Sequence, residues 1–111
     1  TPLIVGIGKA CEIALNEFEN TVQALLKRRA ELQELYEAND IGQVNFKEVA
    51  TAPHILSITL KKQEAEEYLL LKRNEFVAST GSACNTALVE ISHVLKALKI
   101  KDSAKILRIS L

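Results

Sequence analysis

The sequence has no excess of charge: fourteen lysines and arginines are balanced by fourteen aspartates and glutamates over 111 residues. Without a basic surplus there is no general attraction to nucleic acid or to an anionic membrane surface, so neither is an expected partner. Long apolar runs are also missing. Nothing approaches the roughly 18 to 20 residues of a membrane-crossing helix, and the amino end has no basic stretch followed by a secretory core. These absences lead us to expect a cytoplasmic protein, with an organelle matrix as the other compartment. Cysteine is scarce, with only Cys11 and Cys84 present, and there is no Cys-x-x-Cys and no histidine pair at ligand spacing. Neither a disulfide nor a metal centre is expected. Internal repeats, low-complexity stretches and linkers are absent too, and the length suits one core, so residues 1–111 are expected to form a single domain.

What is present is a pattern of alternating periods. Thr1 and Pro2 suit a helix cap and first turn, and apolar positions then recur at helical spacing to about Tyr36. Cys11, Leu15, Phe18, Val22, Leu25, Leu32 and Tyr36 step by three and four, which predicts a buried face with Cys11 in the core. Gly6 and Gly8 predict irregular or closely packed first turns. Asn39, Asp40 and Gly42 read as a turn, residues 44–49 as a short strand, and Pro53 as a break. Leu56, Ile58 and Leu60 alternate with Ser57 and Thr59, the period of a strand with one face buried. Residues 61–73 read as a short helix with Ala65, Tyr68, Leu69 and Leu71 as its apolar content, ended by Asn74. A strand at 76–78, a helix at 86–98 with Leu88, Ile91, Val94, Leu95 and Leu98 inward, and a strand at 106–111 complete the chain. The expected class is α+β, a long helix plus a small sheet packed with helices.

The chemistry concentrates in Ser79-Thr80-Gly81-Ser82-Ala83-Cys84, small residues between an apolar run and a helical pattern. Such a loop leaves a thiol uncrowded, and a cysteine just ahead of a helix amino terminus feels the positive end of the helix dipole, which favours the thiolate. The alternative for Cys84 is a buried loop cysteine. Arg108, within Leu107-Arg108-Ile109-Ser110-Leu111, falls with Ser110 on the strand face opposite Leu107, Ile109 and Leu111. It is either a surface arginine on an edge strand or a binding group aimed into a cleft.

The segment from Ser79 to Cys84 resembles the active-site loop of cysteine desulfurases of the NifS/IscS type and of selenocysteine lyases, in the class V aminotransferase-like superfamily. Ser92-His93-Val94-Leu95-Lys96-Ala97-Leu98 resembles the helix that follows that loop, and 107–111 its Arg-x-Ser strand. Thr1-Pro2-Leu3-Ile4-Val5-Gly6-Ile7-Gly8-Lys9-Ala10 is similar to the opening of the family's long helix. Ala52-Pro53-His54-Ile55-Leu56-Ser57-Ile58 is similar to an Ala-Pro-Asn-Ile-Leu-Asn strand, with His54 in place of asparagine.

The resemblance implies the carboxy-terminal small domain of a fold-type I pyridoxal phosphate enzyme. It implies that Cys84 takes sulfur from L-cysteine as a persulfide with release of L-alanine, and that Arg108 binds the substrate carboxylate. Ser79, Thr80, Gly81, Ser82 and Ala83 would shape the loop, and neither His54 nor His93 is given a catalytic role. The parent would be a homodimer that passes sulfur to an acceptor protein for iron-sulfur cluster or thio-cofactor assembly. The family's cofactor lysine lies in a Ser-x-His-Lys segment, and neither histidine here precedes a lysine. The chain is therefore expected to be an excised small domain that binds no cofactor itself and is inactive alone. A selenocysteine lyase, acting on L-selenocysteine, is one alternative. A standalone thiol or persulfide carrier, or interaction module, is another of a different class.

Overall fold

A computed structural model describes residues 1–80 and 93–111. Within them, helix α1 spans Pro2–Ala38, strands β1 and β2 span Gly42–Val44 and Ile55–Leu60, and helix α2 spans Ala65–Leu71. Strand β3 is Ser79–Thr80, helix α3 is His93–Ala97, and a 3-10 turn at Ser103–Lys105 leads into strand β4, Ile106–Ser110. The expected order of helix, strands, helix, strand, helix and strand is observed, and the class is α+β.

The strands form one four-stranded sheet in the order β1-β2-β4-β3, every pair antiparallel. The longest pairing is β2 with β4, from Ile55 opposite Ser110 to Thr59 opposite Ile106. Period-two alternation then sends Leu56, Ile58 and Leu60 to the same face as Leu107 and Ile109, where Tyr36, Val44, Ala65 and Tyr68 close the core. The hydroxyl of Tyr68 donates to that of Tyr36 at 3.3 Å, so the two polar atoms that α1 and α2 bring into this core satisfy one another.

Helix α1 ends where a left-handed residue can be accommodated. Asp40 has φ 56°, its N–H donates to the Glu37 carbonyl, and the Ile41 N–H reaches back to the Tyr36 carbonyl. This is a Schellman closure with aspartate in the position that glycine most often takes. The Asn39 side chain donates to the Leu35 carbonyl at 2.7 Å, satisfying another end group. At the other end Thr1 holds the cap position without a side-chain capping bond, and Pro2 starts the first turn. Glu37 links the helix end to β1: it accepts from the Val44 N–H at 3.2 Å and pairs with Lys47, and these contacts hold its carboxyl below the usual range.

Several expectations are corrected. Cys11 is exposed rather than buried, and so are Leu15 and Phe18 on the same stripe, because the sheet reaches only the last turns of α1. Gly6 and Gly8 sit in regular helix, and a Cβ at either would meet nothing within 4 Å among the described residues. The strand expected at 44–49 stops at Val44, since Phe46 takes φ 60° and leaves the extended path. Leu71 is exposed, and α2 ends there rather than at Asn74. Phe76 to Ala78 is not strand: pairing begins at Ser79, where β4 lies alongside, while Phe76 packs on the Tyr68 ring. Of the helix expected over 86–98, residues 86–92, with Leu88 and Ile91, lie outside the described residues. In the described part Leu95 is buried, but Val94 and Leu98 are half exposed. No helix among the described residues is long and apolar enough to cross a membrane.

Two glycine substitutions separate close packing from open helix. A Cβ on Gly42 would lie 2.6 Å from Ile58 Cγ2 and 2.9 Å from the Thr59 carbonyl oxygen. Gly42→Ala is therefore expected to destabilise by about 1–3 kcal/mol, as overpacking does. Gly8→Ala is expected to stabilise by about 0.5–1 kcal/mol, the helix-interior difference between the two residues. Urea denaturation midpoints check both, and equal shifts would contradict the packing at Gly42.

Burial beside the Tyr68 hydroxyl pushes the Tyr36 hydroxyl well above its ordinary value of 10.0. Above that pH the unfolded chain gives up a proton that the folded chain retains, so stability falls as pH rises. Denaturation midpoints followed from pH 8 to about 11 are expected to drop, and Tyr36→Phe is expected to reduce the drop. An unchanged alkaline profile in that variant would show that Tyr36 ionises normally.

Candidate substrate-binding site

The face of the sheet opposite the core carries a polar row. Register pairing places Ser57 of β2 opposite Arg108 of β4, and Arg108 opposite Ser79 of β3. Residues directly opposite in a ladder share a face, so the three side chains stand side by side. The row continues to Asn45 beyond β1, whose side-chain amide donates to the Ser57 hydroxyl at 3.1 Å and accepts from the Thr59 hydroxyl at 2.9 Å. Arg108 is half buried within this row, and its Nε–H donates to the Ser79 hydroxyl at 3.2 Å.

Local sequence explains the arrangement. Leu107 and Ile109 must face the hydrophobic core, so the pleat forces Arg108 outward. Strand β4 lies between β2 and β3, which removes the edge-strand reading of Arg108: short serines flank it on both sides. A guanidinium is a planar fork of five donors that fits a carboxylate in bidentate fashion. Among the described residues the ion pairs engage Lys9, Arg28, Lys47, Lys61 and Lys72, and none engages Arg108. Its one side-chain partner there is a neutral hydroxyl.

Of the loop residues expected from sequence, Ser79 and Thr80 prove to be strand, recruited by pairing with Arg108 and Leu107. Gly81, Ser82, Ala83 and Cys84 lie outside the described residues. Ser79 and Arg108 are thus the two expected site residues that the fold brings into direct contact. His54 is exposed just ahead of β2, and its carbonyl accepts from the Leu111 N–H at 2.8 Å, closing the end of the β2–β4 ladder. His93 is exposed at the start of α3. Sequence reasoning had passed over Asn45 and Ser57. The signal for Ser57 was its outward phase in the Leu56-Ile58-Leu60 alternation, but nothing in the sequence pairs it with Arg108.

No cluster of three or more histidine, cysteine, aspartate or glutamate side chains suited to a metal occurs among the described residues. Nor do these residues fit pyridoxal phosphate. Among the described residues the polar row offers one guanidinium, hydroxyls and an amide, none of which is an amine able to form an imine with the aldehyde carbon.

No protein-family model matches the chain. It is similar to the cysteine desulfurase IscS of Methanosarcina thermophila, 39% identical over 97 residues, which is 86% of this chain and 24% of that protein. It is 38% identical over 109 residues to the cysteine desulfurase IscS of Pseudomonas putida (strain GB-1), covering 92% of this chain and 25% of the relative. The cysteine desulfurase IscS of Photorhabdus laumondii matches at 38% over 101 residues, 89% of this chain and 24% of the relative. The chain thus spans about a quarter of the length of the curated relatives it matches. It is a small α+β unit, similar in sequence over that quarter to proteins named cysteine desulfurase IscS.

Proposed function

We propose that the chain is the single small domain, residues 1–111, of a pyridoxal phosphate dependent cysteine desulfurase, with the cofactor and its lysine belonging to another domain of the parent. The observation that carries this reading is the position of Arg108. It stands on an interior strand, hydrogen-bonded to the residue that opens the segment leading to Cys84, and its terminal nitrogens are not paired with any acid among the described residues. Similarity to proteins named cysteine desulfurase supports sulfur as the transferred atom in preference to selenium.

In this reading Arg108 takes the α-carboxylate of L-cysteine through its Nη donors. Cys84, as thiolate, receives the substrate sulfur. The net balance closes without an external reductant: substrate thiol and enzyme thiol become L-alanine and an enzyme persulfide. The S–S bond forms as the substrate carbon–sulfur bond is exchanged for carbon–hydrogen. The parent acts in the cytoplasm as a homodimer, and the persulfide passes to an acceptor protein that supplies iron-sulfur cluster or thio-cofactor assembly.

Two substitutions in the full-length parent test the assignment. Cys84→Ser is expected to abolish alanine formation from cysteine, and intact and peptide mass spectra of the wild type should show the persulfide on Cys84 and not on Cys11. Full turnover in the variant would remove Cys84 from the reaction. Arg108→Lys keeps the charge but loses the fork, and is expected to raise KM for L-cysteine by roughly 10- to 100-fold, the worth of a charge-assisted hydrogen bond. An unchanged KM would exclude carboxylate binding by Arg108.

A further inference from the structure

The contact between Ser79 and Arg108 is more specific than a polar neighbour on a sheet. Strand pairing sets the two residues directly opposite, and the Ser79 hydroxyl accepts the Nε–H of Arg108 at 3.2 Å. An arginine side chain is long and rotatable, so an unrestrained guanidinium beside a cleft samples many poses. The bond to Nε removes most of that freedom and, among the described residues, leaves the four N–H donors of Nη1 and Nη2 uncommitted. It also decides which edge of the fork remains. A carboxylate can approach a guanidinium side-on, through Nε and one Nη, or end-on, through both Nη atoms. With Nε engaged by Ser79, only the end-on approach keeps both of its hydrogen bonds. On the other flank the Ser57 hydroxyl receives the Asn45 amide, and it is the Ser79 hydroxyl that receives the guanidinium Nε–H.

We infer that Ser79 is the positioning residue for carboxylate recognition: it fixes the Arg108 guanidinium through Nε so that an amino-acid carboxylate is taken end-on by the two Nη groups. The inference rests on the proposed binding role of Arg108 and adds to it a geometry and a second residue. Ser79 is also the strand residue from which the chain proceeds to Cys84, so the same hydroxyl ties substrate orientation to the stem of the thiol segment.

The test is steady-state kinetics of the full-length parent with Ser79→Ala, Ser79→Thr and Arg108→Lys, using L-cysteine and its methyl ester, which lacks the anionic carboxylate. For Ser79→Ala, KM for L-cysteine is expected to rise roughly tenfold, the lower range for losing a hydrogen bond to a charged group, with kcat changed less than twofold. KM for the ester should be unaltered. Ser79→Thr, which keeps the hydroxyl on a strand-compatible side chain, should restore the wild-type KM. A KM for L-cysteine unmoved in Ser79→Ala, while Arg108→Lys raises it, would overturn the positioning role and leave the Arg108 assignment standing. Insensitivity of both variants would overturn the Arg108 reading itself. Equal losses on cysteine and ester, or a threonine variant as impaired as alanine, would reduce Ser79 to a packing residue. Should the alanine variant not fold, Ser79→Val, the strand-compatible isostere of threonine without the hydroxyl, takes its place in the same comparison.

Discussion

The antiparallel ladder between β2 and β4 is the constraint on which the rest of the structure depends. It joins the middle of the chain to its last residues, and it is the only pairing of five residue pairs among the described strands. Because side chains alternate, its register assigns every one of them to a face: Leu56, Ile58, Leu107 and Ile109 inward, Ser57 and Arg108 outward. A slip of one residue would drive a guanidinium into the core and expose two large aliphatic side chains, each worth about 1.5–3 kcal/mol when buried. The hydrophobic preference that stabilises the sheet is therefore what points Arg108 outward. Strand β3 then joins the outer edge of β4 for two residues, enough to set Ser79 against Arg108.

Stability is distributed unevenly along the molecule. The last turns of α1 are fastened by Tyr36, Glu37 and the Schellman closure, and the sheet packs against them. The first half of the same helix carries Leu3, Ile4, Ile7, Leu15 and Phe18 exposed. A helix this apolar on a solvent face does not owe its stability to the neighbours it has among the described residues. Under the proposed function, the remainder of a desulfurase would be available to cover it. On that reading the stripe including Cys11, which the small sheet never reaches, would be a face buried in the parent.

Particular residues show where the sequence was legible. The alternation of Leu56, Ile58 and Leu60 identified β2 with its buried face, and Leu107 and Ile109 identified the outward phase of Arg108, because both signals are local and have period two. The end of α1 was visible in Asn39 and Asp40, whose side chains suit caps and left-handed backbone. Strand β3 was misplaced by two or three residues because its extent is set by the partner strand, and Ser79 and Thr80 have no apolar pattern of their own. The strand expected at 44–49 was displaced and shares only Val44 with β1: Gly42, expected in the turn, already pairs with Leu60, and nothing local announces the left-handed Phe46. For the site, motif resemblance singled out Arg108 and Ser79 separately. Their contact spans 29 residues and became visible only once the register was known.

The measurement closest to the central claim is a crystal structure of the full-length parent, carrying Cys84→Ser, with L-cysteine bound. The account predicts the substrate carboxylate within about 2.7–3.2 Å of both Nη atoms of Arg108, the Nε–H still donated to Ser79, and the substrate sulfur directed toward position 84. A carboxylate bound elsewhere, with Arg108 turned to solvent, would contradict it.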